Sequence, residues 1–340
     1  MPATKNGRHA PGIVTFWPPL GLPSPVSLVS VLGSAVLPVV AVAAVGYALG
    51  LTREVSVDTL ATVTIYVLAP ALVFYSVVTT PIAPGTAARL FAGLLVFVLA
   101  LGALAEGVGR VLGEPDETRG ALVLAATFSN AGNYGIPLSA FAFGALGRST
   151  AVLYIVGQSV LMYTLGAFVA ARGGTGQVRS AATQVFRLPL VYALLAAVLV
   201  RALGVVPPTG SAVMETIRLT GDSAIPVMLL LLGIQLAEAD PGQSVRRTAP
   251  ATVLKLAVAP VLALGVALLV GLSGTVGKVF VLECATPAAV TPLMLVVEFG
   301  GTGEGFSAAD YVSGTIFAST LASLATVTGL ILLLQSGAVL

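Results

Sequence analysis

The sequence predicts an all-α integral membrane protein of ten transmembrane helices, built as an inverted five-helix repeat. Three observations carry this. Of 340 residues, 57% are hydrophobic and only 9% are charged, against about 25% charged in a soluble domain. Ten apolar runs of membrane-spanning length follow one another with short loops between them. The fourth and ninth runs carry helix breakers at corresponding places in the two halves of the chain.

Residues 1–25 are rich in Pro and Gly, start basic and lack a continuous apolar core. They read as a disordered N-terminal tail, or as the product of an upstream start codon. The spans then run 27–51, 57–79, 86–111, 119–146 and 149–171, making a first repeat over 26–171. The longest polar linker, RGGTGQVRSAATQVFR, covers 172–187. A second repeat over 188–340 holds spans 188–206, 212–237, 249–272, 276–300 and 308–336. Five spans per half force the second half to enter the membrane with the opposite orientation, the plan of many secondary transporters. IYVLAPALVF in span two matches SAIPVMLLLL in span seven, and SNAGNYGIPL in span four matches LECATPAAVTPLM in span nine.

Lys and Arg set the orientation. Arg53, Arg110, Arg119, Arg172, Arg179, Arg187, Arg246, Arg247 and Lys255 fall on one side. Arg89, Arg148, Arg201, Arg218, Lys278 and the tail's Lys5 and Arg8 fall on the other. The first set is larger, so the linker is expected in the cytoplasm and both termini outside a cell membrane. Lys255, early in its span, is expected to snorkel to the cytoplasmic side in a structural role.

Composition also excludes. With one His (His9, in the tail) and one Cys (Cys284), metal clusters, internal disulfides and Ser-His triads are ruled out. The sequence shows no nucleotide-binding motif and no pair of intramembrane Asp residues, so neither an ATP-driven pump nor an intramembrane protease fits. No cofactor and no nucleic-acid partner is expected; the lipid bilayer is.

The breaks carry the chemistry. Unpaired backbone inside hydrocarbon costs several kcal/mol per group, so irregular chain occurs only where protein or a water-filled cavity surrounds it. Pro137 and Pro287 remove donors, and Gly132 and Gly135 loosen the backbone before Pro137. Thr286–Pro287 and Thr291–Pro292 each suit an N-cap followed by a first helical residue. Two half-helices starting near mid-membrane point their N–H groups at a common centre. Asn130 and Asn133 add neutral donors and acceptors. The result is a site for a carboxylate with no fixed cation, including Tyr134 beside the break. A kink in a packed helix is the plainer alternative for any single Pro.

SNAGNYGIPL, ECATPAAVTPLMLVVEFGG and AIPVMLLLLGIQLA together resemble the auxin efflux carrier family, from about residue 27 onward. That family includes plant auxin carriers and bacterial permeases for malonate and other dicarboxylates. The resemblance implies a scaffold part, a transport part and fourth and ninth helices that cross at their breaks, often in a homodimer. It also implies that Asn130 contacts substrate and that Pro137 with Pro287 or Pro292 are the crossover prolines. Ala288 and Ala289 follow a crossover proline where the auxin carriers have Gln and Gly. TIYVLAPALVFYS lacks those carriers' charged residues. Both departures point away from auxin itself.

Among other polar residues, Glu283 lies four residues before Pro287 and is a candidate for carrying a proton or helping hold Na⁺. A protonated Glu bonded to a neighbouring helix is the alternative. Asp222 either caps a helix segment or faces the cavity as a second ion-coupling candidate. Tyr154 and Gln158, one turn apart, present a polar face either to the site or to a neighbouring helix. Glu106 and Glu298 read as interfacial. The function expected is a secondary active transporter, a permease or efflux carrier of a small organic anion such as a carboxylate. Substrate would bind near the bilayer midplane at the crossover, with H⁺ or Na⁺ as coupling ion. The alternative is a sodium- or proton-coupled transporter of the bile-acid or antiporter type, using Glu283.

Overall fold

The computed structural model describes residues 33, 36–80, 82–173, 185–238, 246–299 and 307–340. The tail 1–25 and most of the linker, 174–184, lie outside the described residues. The described chain is helical, with one isolated β-bridge.

In chain order the helices are α1 (Leu37–Thr52), α2 (Val57–Thr79), α3 (Pro84–Val111), α4 (Asp116–Thr127) and α5 (Ala131–Ala170). After the linker come α6 (Pro189–Ala202), α7 (Ala212–Glu238), α8 (Ala249–Leu269), α9 (Gly274–Ala285), α10 (Thr291–Phe299) and α11 (Ala308–Gln335). Six of these, α2, α3, α5, α7, α8 and α11, are long and apolar enough to cross a membrane. Helices α1 and α6 are apolar but shorter. The expected division between spans four and five falls at Gly144, where φ is +65° and two helical arms of α5 meet at a kink without a longer loop. Only glycine adopts that conformation without strain. The kink brings Gly147 against the Ser139 carbonyl.

Proline shapes several helices from within. Pro70 and Pro260 each follow a wide π-turn, at Thr64–Leu68 and Leu254–Val258. A proline cannot donate and its ring crowds the preceding turn, so the helix widens just ahead of it. The same device precedes Pro137, where Ala131–Gly135 forms a π-turn.

Packing gathers α1, α2, α6 and α7 into one group, and α3–α5 with α8–α11 into another. Glycine makes the closest contact in the first group. A Cβ on Gly233 of α7 would collide with the Ala43 carbonyl, and one on Gly46 of α1 with the Leu230 carbonyl. Small residues let helix backbones meet at this distance, which is how helices associate where lipid removes the hydrophobic drive. In the second group α4 is buried along most of its length, between α3 and α11.

Charges collect into two clusters. Glu106 accepts from Arg110 (3.0 Å), Arg119 (2.9 Å) and Arg172 (2.5 Å). Separately, Asp222 joins Arg148 (2.8 Å) and Arg218 (3.0 Å), and Arg148 lies over the Tyr75 ring. The arginines of each cluster come from one of the two sets that the sequence separates.

Candidate functional site

The centre of the second group is where two segments of the chain cross without helix. Helix α4 stops at Thr127 and α5 begins at Ala131; α9 stops at Ala285 and α10 begins at Thr291. The two breaks run antiparallel, with Ser129 opposite Ala288. Asn130 N–H donates to the Pro287 carbonyl at 2.7 Å, and Ala289 N–H to the Phe128 carbonyl at 3.0 Å.

Other helices satisfy what the bridge leaves over. The Gln158 carboxamide of α5 closes a two-bond pair with one peptide: it accepts from Ser129 N–H (3.0 Å) and donates to the Ser129 carbonyl (2.8 Å). Ser319 Oγ of α11 accepts from Ala288 N–H at 3.0 Å. Such partners are obligatory, because an unpaired buried amide costs about 1–3 kcal/mol. Thr286 Oγ donates to the Glu283 carbonyl (2.9 Å), closing the end of α9.

Three side-chain atoms at the crossing stand out against this accounting, Thr127 Oγ1 at the end of α4 being one. Asn130 Nδ2 and Glu283 Oε2 are buried with no hydrogen-bond partner. Asn130 precedes the first turn of α5, and its side chain makes no capping bond. Glu283 is fully buried; its Oε1 accepts from Ser139 Oγ at 2.6 Å. Its carboxyl end lies against Gly135, where a Cβ would collide with it. The carboxyl therefore packs on the first turns of α5.

The structure brings most of the expected residues to this place and alters what several of them do. Asn130, Glu283, Thr286 and Pro287 are at the crossing itself. Thr286–Pro287 does not start a helix: Pro287 stays extended and offers its carbonyl to Asn130, and Thr286 closes α9 instead. Thr291 and Pro292 do begin α10. Pro137 is displaced from the break, which ends at Asn130; it follows the π-turn that holds Gly132, Asn133 and Tyr134. Tyr134 OH meets Ser323 Oγ at 3.1 Å, and its ring lines a cavity of about 370 Å³ with Tyr47, Phe317 and Thr320. Tyr154 is fully buried, its OH 3.5 Å from Cys284 Sγ and its ring edge-on to Phe280. Gln158 spends both polar atoms on Ser129. Asp222 is taken up by its two arginines.

Lys255 reverses its expectation. It does not snorkel: it is fully buried, and its ammonium points into the crossing. Nζ donates to Ser129 Oγ (2.5 Å) and the Cys284 carbonyl (3.2 Å), and lies 3.5 Å from the Thr127 carbonyl. The crossover thus holds a basic side chain among its carbonyls, where the sequence reading expected no cationic group. Its signal was available: an ionisable residue inside an apolar run, ahead of a helix-distorting proline, in KLAVAP.

An apolar helical bundle interrupted at its centre by crossing, polar-lined breaks defines a membrane transporter rather than an enzyme. Residues 31–330 match the family model described as membrane transport protein, so the chain belongs to that family, the auxin efflux carriers its motifs resemble. It is 29% identical over 293 residues to an uncharacterized transporter of Methanothermobacter thermautotrophicus, covering 85% of this chain and 94% of that protein. It is 25% identical over 253 residues to uncharacterized transporter MJ1031 of Methanocaldococcus jannaschii, covering 72% of this chain and 81% of that one.

Proposed function

We propose that this protein is a secondary active transporter of a small organic anion, a carboxylate, bound at the crossover of α4–α5 and α9–α10. The observation that carries it is the buried, unpartnered Asn130 Nδ2 beside the first turn of α5. A free amide donor and a helix N-terminus at one place favour an anion. One helix end is worth about 0.3–1 kcal/mol, up to about 2 when partly buried. A hydrogen bond to a charged group adds about 1.5–3 kcal/mol. That sum holds an anion and still releases it.

The ten-span inverted repeat belongs to this reading. Helices α4 with the first arm of α5, and α9 with α10, each stand for one broken span. The two arms of α5 on either side of Gly144 stand for spans four and five. The correspondence between Gln158 and Ser319, each satisfying the break of its own half, supports the repeat. A cell membrane with the Glu106 cluster on the cytoplasmic side completes it.

The test starts with thermal stabilisation of the purified protein by a panel of small carboxylates, since a ligand of the folded state raises apparent stability with concentration. Uptake of the best ligand into proteoliposomes follows. Asn130→Ala is expected to weaken binding about 10- to 100-fold, matching the loss of one charge-assisted hydrogen bond. Unchanged uptake in a folded Asn130→Ala protein removes the site.

A second reading rests on another partnerless atom, Glu283 Oε2. Glu283 Oε2 faces the same helix start without a partner, so Glu283 couples transport to a proton, as in proton-coupled carriers of the antiporter type. Glu283→Gln keeps the acceptor for Ser139 and removes the ionisable group. It is expected to retain anion binding and lose uphill transport. Uphill transport at the wild-type rate in that variant eliminates the coupling role.

A further inference from the structure

The crossover has two electrically different faces. On one, α5 begins, with Asn130 ahead of its first turn. On the other, α4 and α9 end, and the groups there are carbonyls. Thr127 is the last residue of α4, and Cys284 is the last but one of α9. A helix C-terminus carries about half a negative charge. Two such ends meeting present roughly one negative charge in total.

Where a transporter breaks its helices in this way, half-helix C-termini and unwound carbonyls are the groups that hold a coupling cation. Here that face is occupied. The Lys255 ammonium stands between the Thr127 and Cys284 carbonyls and the Ser129 hydroxyl, with nothing of its side chain exposed. All three partners are neutral oxygens, so its charge is answered by the two helix ends. Ser129 takes part in both directions, accepting from Nζ and donating to the Cys284 carbonyl at 3.3 Å. The π-turn Leu254–Val258 delivers Lys255 from α8.

We propose that Lys255 is a tethered substitute for a bound coupling cation, so that this carrier assembles its crossover without Na⁺. The inference extends the transporter reading by fixing the ion dependence of the same crossover. It also names a latent site: shortening the side chain leaves a cage of oxygens with a net negative potential, which a small monovalent cation fills. Lys255 acts here as a positioning residue for both breaks.

The experiment compares wild type, Lys255→Ala and Lys255→Met, with Na⁺ itself as the probe. Each purified protein is melted in NaCl and in N-methyl-D-glucamine chloride at equal ionic strength. Wild type is expected to melt within about 1 °C in the two salts. Lys255→Ala should melt lower without Na⁺ and recover by about 5 °C, saturably, as Na⁺ is added. Lys255→Met keeps the bulk of the stem without the charge, so it should melt low in both salts.

Saturable Na⁺ stabilisation of wild type overturns the inference. So does a Lys255→Ala protein whose melting is the same in both salts, whether it is stable or unfolded. An equal response of the Ala and Met variants overturns it too, since the space left by the side chain would then be irrelevant. None of these readouts uses an organic anion. A failed Asn130→Ala assay therefore leaves this inference standing, and its own failure leaves the anion site standing.

Discussion

The two breaks that cross at the centre of this molecule are built alike and equipped differently. Each runs extended past the other, and each has a peptide held by a side chain from a later helix of its own half. The first break is gripped by the Gln158 carboxamide through both groups of the Ser129 peptide. The second is held by Ser319 through the single N–H of Ala288. Among the described residues the carboxyl and the amine at the crossing come from the second half, Glu283 on α9 and Lys255 on α8. The first half brings neutral groups, Ser129 and Asn130. The shared backbone arrangement is what keeps a crossing stable in a medium without water. The unequal side chains leave Lys255 bonded to the carbonyl ends of α4 and α9, and Asn130 Nδ2 without a partner.

The largest effect that breaks this comparison is expected from the bracing side chains. Gln158→Ala removes two buried hydrogen bonds and strands the Ser129 N–H, at about 1–3 kcal/mol, while the Ser129 carbonyl keeps its bond from Ala131 N–H at 2.7 Å. With the second hydrogen bond lost as well, at about 0.5–1.5 kcal/mol, a loss of roughly 1.5–4.5 kcal/mol follows. Ser319→Ala strands one N–H, for about 1–3 kcal/mol. Equilibrium unfolding of both variants in the same detergent measures the ratio. Equal losses would mean that the two breaks are held equally and that the second Gln158 bond contributes nothing. A Gln158→Ala protein as stable as wild type would mean that water reaches the Ser129 peptide.

Much of this was legible in the chain. The breaks showed themselves through Asn, Gly and Pro in runs otherwise rich in Leu, Val and Ala, because lipid tolerates those residues only where protein closes round them. Glu283 showed itself as an ionisable group near a break. Less visible was which break each polar residue serves. Gln158 read equally as facing the site or a neighbouring helix, because a carboxamide that binds a peptide and one that binds a ligand have the same sequence. Lys255 was misplaced for a related reason. Its distance from a helix end suits snorkelling, whereas its partners Ser129 and Cys284 are 126 and 29 residues away and are brought near only by folding. The location of the first break was also hidden. Pro137 marks the π-turn it distorts, and the extended residues lie before it, at 128–130.

The smallest expected effect sharpens the comparison from outside the crossover. Asp222 is an ion-coupling candidate in the sequence because it opens an apolar run. In the structure its two oxygens accept from Arg148 at 2.8 Å and Arg218 at 3.0 Å, and its side chain is 38% exposed. Ion pairs with this much access to solvent contribute about 0–1 kcal/mol, because side-chain entropy and screening offset the attraction. Asp222→Asn is therefore expected to cost less than about 1 kcal/mol and to leave the ion dependence of transport as in wild type. The Asn carbonyl can still accept from one arginine, so the packing of α5 on α7 should persist. A variant that melts like wild type but loses its dependence on the driving ion would move coupling away from Glu283 and the crossover to this pair. Unchanged ion dependence beside the expected defect in Glu283→Gln separates the roles: a carboxylate matched by arginines fastens helices, and a carboxylate buried with one oxygen unmatched is available to the ion.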